Sequence, residues 1–178
     1  MTALINAKVE KALREALDNV PHVEENLITA PLAALDDSEQ TEALSLAMLV
    51  AGYVVVDVCD NKWPSAASVR QIADDLATTG TTAKQLRLDA EQIHAYLSRT
   101  VIGPDRLEDV IPEEPQFTRL PVIVAQRALS VYHPKTLGIW AYLDQIESAI
   151  EVAWALDTAT LPAAVMRAYL PKPKDIGN

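Results

Sequence analysis

Five residues on one stretch of the chain carry the densest set of groups suited to recognising another molecule. Trp140, Asp144, Glu147, Glu151 and Trp154 follow one another at intervals of four, three, four and three. That spacing keeps side chains on one face of an α-helix. Three carboxylates bracketed by two indoles suit a cationic group, because the acids attract the charge and an indole face attracts it further. The cation could belong to a partner protein, as a Lys or Arg, or to this chain, with Arg127 as the candidate. Ile139, Leu143, Ile146, Ile150 and Ala153 form an adjoining apolar stripe that would seat the same helix on a core.

A second set lies near Asp57. Tyr53 precedes it by one helical turn, and Asp60 and Trp63 follow it. Two Asp near a helix C-terminus face the negative end of the helix dipole, so something must compensate them. Lys62 or an Arg from elsewhere is the expected partner, giving a structural ion pair. A ligand pocket built on Tyr53, Asp57 and Trp63 is the alternative. Neither a nucleophile nor a second acid accompanies Asp57, so no catalytic residues are assigned.

Two further patterns point to weaker chemistry. Glu91 and His94 form one Glu-x-x-His pair, which is half of what a di-iron carboxylate bundle needs, and the chain holds no second pair. No metal or other cofactor is therefore expected. Residues 65–100 read as helix, turn and one or two further helices. This arrangement is similar in outline to bacterial helix-turn-helix regulators, which implies a DNA-binding role with Lys84, Gln85 and Arg87 on the reading helix. It departs from them at Ala77, where such proteins commonly carry Gly. The three side chains also supply little of the basic footprint that phosphate contacts require.

The elements that must position these groups are helical. From Leu46 to Val56 the only polar side-chain group is the Tyr53 phenol, so the segment from about 38 to 59 is expected to be a helix buried on all sides. Its N-cap is expected at Asp37 or Ser38, with Gln40 completing a capping box. A strand over Tyr53–Val58 is the competing reading, given its β-branched residues. The run is too short for a membrane span, which needs about 20 apolar residues. Helical spacing also predicts helices over Thr2–Val20, Ser65–Thr78, Asp89–Thr100, Thr118–Tyr132, Lys135–Leu156 and Thr160–Leu170. Leu27, Ile28, Leu32 and Leu35 suggest that the connector before the central helix lies on the core. Glu10 and Arg14 should pair across one turn.

The chain has 178 residues, 49% of them hydrophobic and only 5% aromatic, so its core must be mostly Ala, Leu, Val and Ile. Together these features predict an all-α, single-domain bundle of six to eight helices over 1–170, followed by a polar tail, 171–178. The single cysteine, Cys59, and the absence of a signal-like start point to the cytoplasm. A net charge of −10 argues against extended contact with nucleic acid or anionic lipid. The function that remains is a cytoplasmic adaptor or regulatory protein that binds another protein or itself. The DNA-binding regulator and a ligand-binding or catalytic bundle are the alternatives.

Overall fold

The computed structural model describes residues 5–20, 30–60, 64–78, 89–98 and 120–156, with side chains in the last segment as far as Glu151. Every regular element among the described residues is helical. The main ones are α1 (Ala7–Asn19), α2 (Asp37–Val58), α3 (Ala66–Thr78), α4 (Ala90–Leu97), α5 (Leu120–Tyr132) and α6 (Ile139–Leu156). The all-α expectation holds, and Tyr53–Val58 is helix rather than strand. The Thr160–Leu170 segment and the 171–178 tail lie outside the described residues.

α2 is the centre. Twelve of its residues are buried, among them Leu46, Val50 and Val54 with no exposure at all. It packs most extensively against α5, and small residues explain the fit. Ala43, Ala47 and Ala51 on α2, with Ala125 and Ala128 on α5, are all essentially solvent-free. Side chains of that size let two helix axes approach closely. α1 and α6 each pack against both members of this pair, and α3 and α4 pair with each other beside α5. The α2 segment is the one described helix with the length and hydropathy of a membrane span, and 67% of that window is buried inside the bundle. Its apolar surface is thus spent on its own neighbours.

The helix ends follow from local chemistry. α2 begins with a capping box in which the Asp36 side chain accepts from the Glu39 N–H at 2.8 Å and the Glu39 carboxylate accepts from the Asp36 N–H at 3.0 Å. The cap is therefore one residue earlier than Asp37, and Glu39 rather than Gln40 completes the box. Gln40 instead donates its side-chain amide to the Leu35 carbonyl at 2.9 Å. This bond ties the connector to the helix, where Leu32 and Leu35 are buried as expected. After Cys59 the chain turns through Asp60 at φ 57°, a left-handed backbone that Asp tolerates better than most residues. α1 starts at Ala7, not Thr2, because Asn6 caps it by accepting from the Lys8 N–H at 3.0 Å. α6 starts at Ile139, not Lys135, because a turn closed by Leu137 N–H to the Pro134 carbonyl intervenes.

Candidate partner-binding site

α1 and α6 run antiparallel and are joined by long side chains rather than by close packing of their backbones. Near one end the Glu151 carboxylate accepts from the Ile5 backbone N–H at 3.1 Å. Further along, Arg14 of α1 reaches across to α6. Its Nη2 donates to Asp144 at 2.5 Å and to Glu147, and lies 3.2 Å from Glu10 on its own helix. The Glu10–Arg14 pair forms as the spacing predicts. The cation that answers the α6 carboxylates is thus Arg14, and Arg127 does not fill that role.

Glu147 sits at the bottom of this network, 5% exposed. Its Oε1 and the Arg14 Nε are both enclosed with no hydrogen-bond partner. Burial pushes the Glu147 carboxyl up to about 7, even though Arg14 pulls the other way. Burial also works against the Arg14 charge, but its bonds to Asp144 and Glu147 hold the guanidinium above its ordinary range. One cation therefore binds three carboxyl groups on two helices.

Beside this bridge lies an open groove of about 590 Å³. Ala7, Lys11, Arg14 and Asp18 form its α1 wall at helical spacing, with Glu10 and Glu15 flanking them, and Trp140 closes the other side. Trp140 is 41% exposed, one of two large apolar side chains among the described residues that stand out in water, the other being Val58. The helical face read from the sequence is real in its spacing, but it turns from solvent to interior along its length. Trp140 and Asp144 face outward, while Glu147 is buried. The Trp154 side chain lies outside the described residues.

The second sequence-predicted set is partly assembled. Tyr53 and Tyr142 meet edge to face at 6.4 Å, and Tyr142 donates its hydroxyl to Asp57 Oδ2 at 2.6 Å. Among the described residues, the group that answers Asp57 is this phenol; Lys62 lies outside them. Burial and the neighbouring Asp57 push the Tyr142 hydroxyl well above its usual range, so it stays a donor. Trp63 lies outside the described residues. Cys59 is half-buried near Ser68, and burial raises its thiol, which suits a packing residue rather than a nucleophile.

Lys84, Gln85 and Arg87 also lie outside the described residues. The helices on either side of them, α3 and α4, pack against each other as a helical pair. Arg70 of α3 is engaged by Glu91 of α4 at 2.5 Å, which places Glu91 in an ion pair. His94 shares its helix, and no cluster of three metal-ligating side chains occurs among the described residues. Sequence spacing missed Arg14 and Tyr142 as partners because each reaches its acid from another helix. Arg14 carried one signal, its position four residues after Glu10.

No family model matches this chain, and comparison with curated proteins and with solved structures gives no match either.

Proposed function

We propose that this protein is a helical adaptor whose contact surface is the groove between α1 and α6. The observation that carries the reading is Trp140, 41% exposed on the rim of a groove that no other part of the described chain fills. A large aromatic left in water forgoes the burial of about 150–250 Å², and Trp is enriched at binding hot spots. The surroundings select the partner by charge. Glu15 and Asp18 border the groove, Asp144 is largely exposed beside it, and the whole chain carries −10. The partner that fits is a protein presenting a basic side chain among apolar ones, the basic group meeting these acids and the apolar ones covering the indole. Complementary charge sets choice of partner and speed of encounter more than affinity. An aqueous, reducing compartment such as the cytoplasm suits a chain with one half-buried thiol.

Native mass measurement of the protein incubated in cell lysate tests this, with Trp140→Ala as the comparison. The expected result is a partner-bound species for the wild type that Trp140→Ala loses while keeping its melting temperature. Equal capture by both proteins, or unfolding of the variant in isolation, overturns the assignment of the groove.

A further inference from the structure

Arg127 is the one buried cation in the described bundle that the fold leaves unanswered. It is 5% exposed, and its Nε and Nη2 are enclosed without a hydrogen-bond partner. The contrast with Arg14, which grips three carboxyl groups, shows that the same bundle satisfies a guanidinium elsewhere. The nearby helices offer Arg127 little. α5 itself contains no acidic residue. On the helices packed against it, Asp57 is engaged by Tyr142, Asp75 by Tyr132 at 2.9 Å, and Asp144 and Glu147 by Arg14. Burial alone acts on the guanidinium, lowering its affinity for the proton.

The residues around Arg127 on α5 share its polarity. Gln126 precedes it, and its Oε1 is likewise enclosed without a partner. Ser130 lies one turn on from both, and Gln126, Ser130 and Val131 are all half-buried, so Arg127 lies one layer beneath the edge of the bundle. By helical spacing Gln126 and Ser130 fall on the same side of α5 as Arg127, so the guanidinium, the Gln126 side-chain N–H groups and the Ser130 hydroxyl supply donors there, while the enclosed Gln126 Oε1 is an acceptor. A buried charge without a counter-charge is costly, and removing it normally stabilises a fold. A guanidinium in such a place is matched by planar or tetrahedral oxygens, which it binds through two parallel N–H groups.

We propose that Arg127, with Gln126 and Ser130, forms a receptor for a small oxyanion, a carboxylate or a phosphate group. This site is separate from the α1–α6 groove and does not depend on it.

Thermal melting at constant pH and ionic strength tests it, in sodium chloride, sodium phosphate and sodium acetate. In the wild type, phosphate or acetate should raise the melting temperature above the chloride value, by about 5 °C at ten times the dissociation constant and then with the logarithm of anion concentration. Which salt acts tells phosphate from carboxylate. Arg127→Met should melt higher than the wild type in chloride and lose that rise. A rise equal in both proteins is the general salting effect of the anion and overturns the proposal. Titration of the ¹⁵N-labelled wild type with each anion gives a reading free of any folding defect in the variant. Saturable shifts confined to the amides of 126–131 support the site, and an unchanged spectrum with both anions overturns it.

Discussion

The hydroxyl of Tyr142 on α6 donates to the carboxylate of Asp57 at the end of α2, at 2.6 Å and across 85 positions of sequence. Tyr142 is 1% exposed, and its ring meets Tyr53 edge to face. The bond answers the Asp57 charge where the α2 dipole is least favourable to it. Tyr142→Phe keeps the ring and removes the donor. A hydrogen bond to a charged group contributes about 1.5–3 kcal/mol, so the variant should lose roughly that much stability in chemical denaturation. Loss of less than about 0.5 kcal/mol would mean that water replaces the phenol at Asp57.

The α2 core gives the largest expected effect. Val50 and Val55 are 0% and 1% exposed in the most apolar helix. Val50→Asp or Val55→Asp places a charge there with no partner, at a cost of several kcal/mol. Against a total stability of about 5–15 kcal/mol, either variant should fail to fold and appear as insoluble or protease-sensitive protein. A soluble variant with an unchanged melting temperature would remove α2 from the core.

Glu147 gives a pH dependence whose sign is fixed. Burial raises its folded-state carboxyl to about 7 from the ordinary value of 4.5. The folded protein therefore binds more protons than the unfolded chain between those values. The stabilising contribution of this group is fully present below 4.5, falls as pH rises through about 7, and is absent above it. Glu147→Gln removes the titration while leaving an acceptor for Arg14. The difference in stability between wild type and Glu147→Gln should shift against the wild type as pH rises from 5 to 8. A difference that does not change over that range would show that Glu147 is ionised throughout.

The helices were legible in the sequence because period and caps are local. The 38–59 segment, the Asp89 cap of α4 and the Ser65 cap of α3 all follow from residues within one turn. Errors of one residue at the Asp36 cap and of several at the starts of α1 and α6 arose where neighbouring polar residues compete for the same role. What spacing could not supply is which helix stands opposite a given face. Asp144 and Glu147 were visibly in need of a cation, but the choice of Arg14 over Arg127 depends on a contact 130 or more positions away. Likewise, Asp57 required a partner, and only the packing of α6 against α2 makes it a tyrosine.

The bridge between α1 and α6 can be weighed by removing its cation. Arg14→Ala leaves Glu147 buried with neither of its oxygens answered by a charge, and leaves Asp144 and Glu10 facing it. Removing one member of a buried pair typically costs about 3–5 kcal/mol, largely because the other charge is stranded. Glu147 has a way to reduce that cost, since its carboxyl already takes a proton near neutrality and would do so more readily without Arg14. The loss in Arg14→Ala should therefore be larger at pH 8 than at pH 5.5. Adding Glu147→Gln removes the stranded charge, so the double variant should recover part of the stability lost at pH 8, and less at pH 5.5, where the acid is already neutral. Chemical denaturation of the wild type, both single variants and the double variant at the two pH values closes the cycle. Additive losses at pH 8 would show that Arg14 and Glu147 are not energetically coupled, and that Arg14 holds α6 through Asp144 alone.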